Sequence, residues 1–119
     1  MHLKKPWGEV SAYVLNQTCT VRLIMLDANQ QTSLHYHLLR DDMWVILDEG
    51  LEVRIGEDTY QCHEGDEFVI TAEQTHMIKS HGKKGRVLEI NFGYTSEDDT
   101  HRLEDTYGRE LETESELEI

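Results

Sequence analysis

Two histidines, His35 and His37, stand two residues apart in a stretch that alternates like a β-strand. Because successive side chains of a strand point to opposite faces, both imidazoles leave the same face. Asp42 follows at the start of the next candidate strand, and its carboxylate can reach the histidine pair if the two strands pair. His76 opens a later strand. Three imidazoles and one carboxylate can hold a divalent ion at about 2.0–2.2 Å and leave positions open for a ligand.

This spacing predicts one divalent metal ion, which could be Zn, Mn, Fe, Ni or Co. A His-x-His pair also occurs on strands by chance, so the metal hypothesis depends on Asp42 and His76 as well. The other histidines lack ligand-like spacing, and we expect them at the surface: His2, His63, His81 and His101. We expect Cys19 and Cys62 to be reduced thiols, with a single bridge between them as the alternative.

The elements around these residues alternate with a period of two from about residue 9 to residue 92. Leu51, Val53 and Ile55 alternate with Glu52 and Arg54, as in a half-buried strand. Gly, Asn and Asp clusters break the pattern every ~8–12 residues, which favours a sandwich or barrel over βαβ units. The other strand candidates are Val21–Leu26, Met43–Leu47, Gly8–Leu15, Ser33–His37, Thr59–His63, Glu67–Thr71, His76–Ser80 and Arg86–Phe92.

The end of the chain departs from this pattern. The acidic run that starts at Ser96 could cap a short helix. We predict one domain over residues 1–109 and an acidic, mobile tail over residues 110–119. The alternative is that Leu111, Leu117 and Ile119 dock on a partner.

The composition excludes several classes of partner. The formal net charge is −13, which argues against binding to nucleic acid or to anionic membranes, because both depend on Lys and Arg. No apolar run approaches the roughly 20 residues that cross a bilayer. The first residues lack the apolar stretch of a secretory signal. We therefore expect a cytoplasmic protein.

The metal-ligand pattern resembles the cupin superfamily. His35 and His37, four residues, Asp42 and then Gly50 resemble its first motif, and Gly65-Asp66 followed by His76 resembles its second. This resemblance implies an all-β cupin fold. The fold is a double-stranded β-helix, or jelly-roll barrel, here with a short C-terminal helical or irregular tail.

A longer match is to the C-terminal cupin domain of type II mannose-6-phosphate isomerase/mannose-1-phosphate guanylyltransferase, over about residues 5–109. The matching residues are Lys5-Pro6-Trp7-Gly8, Arg40, Trp44, Glu97-Asp98-Asp99, Arg102, Glu104-Asp105 and Tyr107-Gly108-Arg109. His35 stands where that family has a metal-binding Gln, and Asp42 replaces a Glu. Leu38, Leu39 and Met43 are apolar residues at positions where that family has histidines. The nucleotidyltransferase domain of that family is not in this sequence, so we expect no guanylyl transfer.

The resemblance implies interconversion of mannose 6-phosphate and fructose 6-phosphate, which feeds GDP-mannose and polysaccharide synthesis. The reaction needs a base to move a proton between C1 and C2, and the candidates are Glu89, Glu67 and a metal-bound hydroxide. A phosphate needs cations, preferably arginine. The candidates are Arg22, Arg40, Arg102 and Arg109. Arg102 and Arg109 lie among acidic residues, so ion pairs within the chain are the alternative. Trp44 could stack on a sugar or simply pack.

Three functions are compatible with these residues. The first is the isomerase, and the second is a non-catalytic metal-cupin that binds a sugar or sugar phosphate. The apolar residues Leu38, Leu39 and Met43 favour the second. The third is an Fe(II)-dependent cupin oxygenase, because the same ligands suit iron. We also expect a homodimer, with Gly8–Leu15 as the strand that pairs or exchanges between copies.

Overall fold

The structure, a computed structural model, describes residues 1–112 and consists almost entirely of antiparallel strands. A short 3-10 helix, Glu97–Asp99, precedes the last strand. No helix among these residues is long and apolar enough to span a membrane. The strands are β1 (His2–Lys5), β2 (Gly8–Ser11), β3 (Thr20–Leu26), β4 (Leu34–Tyr36), β5 (Arg40–Ile46), β6 (Leu51–Ile55), β7 (Asp58–Gln61), β8 (Glu67–Ile70), β9 (His76–Ser80), β10 (Gly85–Gly93) and β11 (His101–Glu104).

Two sheets form the body of the protein. One has the order β3-β10-β5-β8 and the other the order β11-β4-β9-β6-β7, while β1 and β2 form a separate hairpin. Both sheets contribute to one apolar core, so they face each other across it. The buried members of this core are Leu26, Trp44, Ile46, Leu51, Val53, Cys62, Ile70, Ile78 and Val87. The all-β fold expected from the sequence is therefore confirmed.

The alternation in the sequence corresponds to the two faces of each sheet. On β6, Leu51 and Val53 are buried, whereas Glu52 and Arg54 are only partly covered. On β3, the last residue of the inward row, Leu26, is buried in the core, while Val21, Leu23 and Met25 are exposed on the outer face. The inward row of this sheet therefore forms the core and, toward one end, the walls of the candidate site.

The route by which Asp42 approaches the histidines differs from the simplest expectation. β4, with His35, pairs with β9 and β11, whereas β5, with Asp42, pairs with β10 and β8. The two strands therefore lie in opposite sheets and do not pair with each other. The chain changes sheets in the turn after His37, so Asp42 faces the histidines across the interior.

Several element boundaries also differ from the sequence prediction. The strand expected over residues 8–15 ends at Ser11, and the strands β1 and β11 were not predicted. The expected helical cap is present, because the Ser96 hydroxyl accepts a hydrogen bond from the Asp98 amide. Both cysteines are free. Most of the predicted acidic tail, residues 113–119, lies outside the described residues.

Candidate metal centre

Three histidines converge at one end of the interior. His35 on β4 is the direct cross-strand neighbour of His76, the first residue of β9. His37 follows β4 on the same face as His35. One ring nitrogen from each of the three lies within 4.8 Å of the others, as expected of ligands that share one ion. His37 and His76 are buried and His35 is partly exposed, so the group is reached from the His35 side.

Backbone carbonyls orient all three imidazoles. In each ring Nδ1 lies 2.9 Å from a carbonyl oxygen and donates its proton there. The acceptors are Ser33 for His35, Asp99 for His37 and Gln74 for His76. A donor at Nδ1 leaves the lone pair on Nε2, and this hydrogen-bonding pattern is typical of histidines that bind metals.

Burial keeps these imidazoles neutral. Burial and the neighbouring rings of His76 and His37 lower the pKa of His35 to about 3. Burial also lowers the pKa of His76 to about 4, against the opposing hydrogen bond to Gln74. The pKa of His37 is lowered for the same main reason. Neutral imidazole is the form that binds metal, so all three rings are in the ligand form at neutral pH.

Asp42 approaches two of the three histidines from the opposite sheet. Its Oδ2 lies 3.7 Å from His37 Nε2 and 3.9 Å from His76 Nε2. Asp42 Oδ2 and His76 Nε2 are both buried and have no hydrogen-bond partner among the described residues. A buried polar atom without a partner is costly, and a shared cation would satisfy both atoms at once. The donor set therefore fits a divalent metal ion.

Arg40 and Asn91 hold Asp42 in place. Arg40 Nε donates to Asp42 Oδ1 at 2.9 Å, and the Asn91 amide nitrogen donates to the same oxygen at 2.6 Å. A second Arg40 nitrogen donates to His37 Nε2 at 2.9 Å. Burial and the nearby Glu89 raise the pKa of Asp42, whereas Asn91 and Arg40 oppose that rise. Arg40 is itself buried, so it lies at the base of the site.

A cavity of about 520 Å³ opens beside the histidines. Its wall includes His35, His37 and Trp44. All four arginines expected to bind phosphate also line it: Arg22, Arg40, Arg102 and Arg109. The acidic lining residues are Glu89 and Glu97. Each of these arginines has a carboxylate partner, and the guanidinium nitrogens that such a pair leaves free are donors suited to an anionic ligand.

Glu89, one of the two candidate bases, lies on the cavity wall. Its side chain is 3% exposed, and its Oε2 accepts a hydrogen bond of 2.8 Å from Trp44 Nε1. Its Oε1 accepts from Arg22 Nε at 2.9 Å. Burial raises the pKa of this carboxyl, but hydrogen bonds from Trp44, Asn91 and Arg22 outweigh burial and hold the pKa below its usual value. Glu89 is therefore an ionised carboxylate at neutral pH.

The two arginines near the C-terminus differ in how fully they are paired. Arg109 forms two hydrogen bonds to the Asp105 carboxylate through Nε and a terminal nitrogen, both at 3.0 Å. Arg102 donates to Glu97 at 3.0 Å through one terminal nitrogen, while its Nε is buried without a hydrogen-bond partner among residues 1–112. Arg102 therefore retains an unused buried donor at the cavity.

The structure does not bring Glu67, the other candidate base, to the histidines. Glu67 lies on the outer face of β8, where Tyr13 donates to it at 2.7 Å. Leu38 and Leu39 are exposed in the turn after His37, and Met43 faces outward beside Glu67. None of these three apolar residues is among the residues that line the cavity. The replacement of family histidines at these positions therefore does not change the residues that line the cavity.

Comparisons with known proteins assign the chain to a family. The family described as Mannose-6-phosphate isomerase C-terminal matches residues 1–105. This chain belongs to that family. Xanthan biosynthesis protein XanB of Xanthomonas campestris pv. campestris is 33% identical over 107 residues, which cover 88% of this chain and 23% of XanB. Alginate biosynthesis protein AlgA of Pseudomonas aeruginosa is 28% identical over 110 residues, which cover 91% of this chain and 23% of AlgA.

The chain thus spans 23% of the length of these two relatives, both of which are named for polysaccharide biosynthesis. Among solved structures, the cupin domain of Cnp3 from Schizosaccharomyces pombe superposes with a TM-score of 0.60 at 13% identity. The superposition covers 71% of this chain and 63% of that one. The fold is therefore the cupin double-stranded β-helix, as the sequence motifs predicted.

Two residues that the sequence analysis did not assign to the site support the turn after His37. Asp99 holds His37 through its carbonyl, and its carboxylate accepts hydrogen bonds from the Leu38 and Leu39 amides at 3.1 and 2.9 Å. Gly93, at φ +128°, packs under the same turn, where a Cβ would lie 2.4 Å from the Leu39 carbonyl oxygen. The acidic motif after Ser96 could have pointed to Asp99 as a site residue. No sequence motif pointed to Gly93.

Proposed function

We propose that this domain interconverts mannose 6-phosphate and fructose 6-phosphate in a metal-dependent aldose–ketose isomerisation. One observation carries the proposal: a single cavity is lined by histidines of the metal group, an ionised carboxylate and four arginines. These are the groups that this reaction needs, namely a Lewis acid site, a base and a phosphate clamp. Family membership and the polysaccharide-biosynthesis relatives support the same substrate class.

His35, His37, His76 and Asp42 are the residues that would hold the metal. A bound divalent ion supplies polarisation of the substrate carbonyl and stabilises the negative charge that develops on oxygen. Arg40 supports this function indirectly, because its guanidinium fixes the Asp42 carboxylate from behind.

Glu89 is the proposed base. Its low pKa keeps the carboxylate free of a proton at neutral pH, which is the form that accepts one from the substrate. Arg22 is 42% exposed and can turn toward a substrate, which frees Oε1. In the forward direction Oε1 takes the proton from C2 of the aldose and returns it to C1, while a hydroxyl proton moves from O2 to O1. Trp44 keeps Oε2 fixed during both transfers.

The arginines at the rim are proposed to bind the phosphate. Arg102 is the strongest candidate because its buried Nε is unpaired among the described residues. Arg22 and Arg109 lie on the same wall and are both partly exposed. The bidentate geometry of a guanidinium matches phosphate oxygens, so one or two of these residues suffice to orient the sugar.

The test is an assay of mannose 6-phosphate isomerisation after reconstitution with Mn, Zn, Co, Ni or Fe. We expect fructose 6-phosphate to form with at least one metal, and we expect both a chelator and His37→Ala to abolish the activity. His63→Ala is the matched control, because His63 is an exposed histidine paired with Glu49 away from the cavity. Failure of every metal-loaded sample to turn over any hexose phosphate contradicts the isomerase proposal.

The other two functions correspond to different outcomes of the same experiment. Calorimetric binding of mannose 6-phosphate without turnover assigns the domain as a non-catalytic sugar-phosphate binder. The exposed or outward positions of Leu38, Leu39 and Met43 remove the main argument for that alternative. Oxygen uptake by the iron-loaded protein with a small acid or thiol assigns it as an oxygenase. Such substrates do not require a cavity lined by four arginines.

A further inference from the structure

Both carboxylate oxygens of Glu89 are occupied by hydrogen-bond donors. Oε2 accepts from Trp44 Nε1 at 2.8 Å. Oε1 accepts twice from Arg22, through Nε at 2.9 Å and through a terminal nitrogen. A base that takes a proton from a carbon atom needs a lone pair that points at that proton. In this arrangement the lone pairs of the proposed base are therefore engaged by the protein itself.

Arg22 is the partner of Glu89 that has room to move. Trp44 and Asn91 are buried, and the side chain of Arg40, which lies 4.0 Å from Oε1, is only 3% exposed. The side chain of Arg22 is 42% exposed. It is the direct cross-strand neighbour of Glu89, on the edge strand β3, and it lines the cavity. Release of Oε1 therefore requires movement of Arg22 and of no buried residue.

The ion pair between Arg22 and Glu89 is less favourable than the pair that Arg22 would form with a phosphate. Both donors of Arg22 converge on one oxygen, because Trp44 holds the other, so the pair lacks the parallel two-oxygen geometry of a bidentate contact. A phosphate monoester has about 1.5 to 2 negative charges at neutral pH and three acceptor oxygens, and a guanidinium matches it with two parallel hydrogen bonds. A phosphate in the cavity therefore competes with Glu89 for Arg22.

We propose that the phosphate of the substrate makes the base available: it draws the Arg22 guanidinium away from Glu89 Oε1, and the released oxygen takes the proton from C2. This inference rests on the isomerase proposal and deepens it, because it names Arg22 as the residue that makes turnover specific for phosphorylated sugars. A sugar without phosphate enters the cavity while Oε1 is still occupied, so it reacts slowly. The binding energy of a group remote from C1 and C2 is thus used in the chemical step.

The first test supplies the sugar and the phosphate group as separate molecules. The assay measures isomerisation of mannose by the metal-loaded protein, with and without millimolar phosphite, a dianion that has no sugar attached. We expect phosphite to raise kcat/KM for mannose by about tenfold or more, because it releases Oε1. The same phosphite should inhibit turnover of mannose 6-phosphate, since the two compete for Arg22. Sodium chloride at equal ionic strength is the control for screening.

Substitution of Arg22 separates release of the base from binding of the phosphate. Arg22→Met removes both donors to Oε1, so turnover of mannose without phosphite should rise, and phosphite should no longer accelerate it. The preference for mannose 6-phosphate over mannose, measured as the ratio of kcat/KM values, should fall by about tenfold or more. Arg102→Met should instead raise the phosphite concentration that gives half-maximal activation and leave the activation at saturation in place.

Two further variants control for folding and for charge. Arg22→Lys keeps a cation that can pair with either a carboxylate or a phosphate, so it should retain part of the activation by phosphite. Arg86→Met removes the same charge at an arginine that pairs with Asp48 away from the cavity. Its response to phosphite should equal that of the wild type.

Calorimetry tests the same contact without turnover. Phosphite that binds Arg22 must break the ion pair with Glu89, so Glu89→Gln should lower the phosphite dissociation constant by about threefold to tenfold. In the Arg22→Met background the same substitution should change this constant by less than about twofold. The difference between the two backgrounds measures the coupling between Arg22 and Glu89.

Three results overturn the inference. If the protein isomerises mannose 6-phosphate but phosphite does not accelerate turnover of mannose, Arg22 does not control the base, and the isomerase proposal stands. Activation of Arg22→Met by phosphite to the wild-type extent has the same meaning. An equal effect of Glu89→Gln in both backgrounds means that net charge alone governs anion binding. A protein that isomerises neither sugar contradicts the isomerase proposal, and the calorimetric cycle then decides whether a dianion separates Arg22 from Glu89.

Discussion

His37 Nδ1 lies 2.9 Å from the carbonyl oxygen of Asp99, a residue 62 positions later in the chain. The carboxylate of Asp99 also accepts hydrogen bonds from the amides of Leu38 and Leu39. One residue therefore fixes both the orientation of a candidate metal ligand and the turn that follows it. Burial raises the pKa of Asp99, but these amides and His101 outweigh burial and keep the carboxyl ionised.

Replacement of Asp99 by Ala should weaken both the fold and metal binding. Asp99→Ala leaves two amide donors without their charged acceptor, which should lower the free energy of unfolding by about 2–4 kcal/mol. Metal affinity should fall only modestly, because the turn after His37 loosens while the backbone carbonyl that accepts from His37 Nδ1 remains. Urea denaturation and metal titration measure the two effects. Asp99→Asn, which keeps one side-chain oxygen acceptor, should be intermediate, and wild-type values for Asp99→Ala would contradict the bracing role.

The sequence was sufficient for the His35–His37 pair but not for the position of Asp42. Whether two residues on one strand share a face is a local property, because side chains alternate along the strand. Whether Asp42 reaches them depends on which strands pair, and this is a nonlocal property. β4 and β5 are consecutive and yet lie in opposite sheets. The sequence therefore predicted the wrong strand pairing, and the four-residue ligand set stays a prediction.

The choice between Glu89 and Glu67 shows a second limit of the sequence. In β8 Phe68 and Ile70 form the apolar row that packs inward, and Glu67 lies in the other row with Val69. In β10 the apolar alternation favours Leu88 and Ile90 as the inward row, whereas the structure turns Glu89 and Asn91 inward. A functional site reverses the usual rule here, since polar residues on the inner face are what the site requires.

The metal-free protein should lose stability as the pH falls below about 6.5. The pKa of His35 is about 3 in the folded state, so between these values the unfolded chain binds a proton at this residue and the folded chain does not. Each such group lowers the free energy of unfolding by up to about 1.4 kcal/mol per pH unit. His76, with a pKa of about 4, should contribute in the same direction.

His35→Gln tests the link between protonation of His35 and stability, because it removes one titrating group. Glutamine is also the residue that the mannose-6-phosphate isomerase family, which this sequence resembles, has at this position. The decline in stability between pH 6.5 and about 4 should be shallower in the variant than in the wild type. Urea denaturation at a series of pH values, with chelator present throughout, provides the measurement. Parallel stability curves for the two proteins would contradict the lowered pKa of His35.

Arg102 and Arg109 should differ in their contribution to phosphate binding. Arg109 is already engaged in two hydrogen bonds with Asp105, whereas Arg102 Nε has no hydrogen-bond partner among the described residues. Arg102→Met should weaken mannose 6-phosphate binding by about 10–100-fold, the cost of one charge-assisted hydrogen bond. Arg109→Met should have a smaller effect. Calorimetry of each variant with mannose 6-phosphate measures the difference.

Arg86→Met is the matched control for these two variants, because Arg86 pairs with Asp48 on the surface away from the cavity. Its affinity for mannose 6-phosphate should equal that of the wild type. Mannose without phosphate should bind all four proteins equally weakly, which isolates the phosphate contribution. If Arg102→Met and Arg86→Met lower the affinity for mannose 6-phosphate equally, the effect comes from net charge and not from a specific contact.

Trp44→Phe should change the pH dependence of turnover through Glu89. The substitution keeps an aromatic ring in the core but removes the 2.8 Å hydrogen bond from Trp44 Nε1 to Glu89 Oε2. Loss of a donor to the ionised form raises the pKa of a carboxyl, so the acid limb of the kcat/KM profile should move to higher pH. Metal affinity should be unchanged, because no metal ligand loses a hydrogen bond. An acid limb at the wild-type position would mean that Glu89 is not the base, and Glu89→Gln would then retain activity.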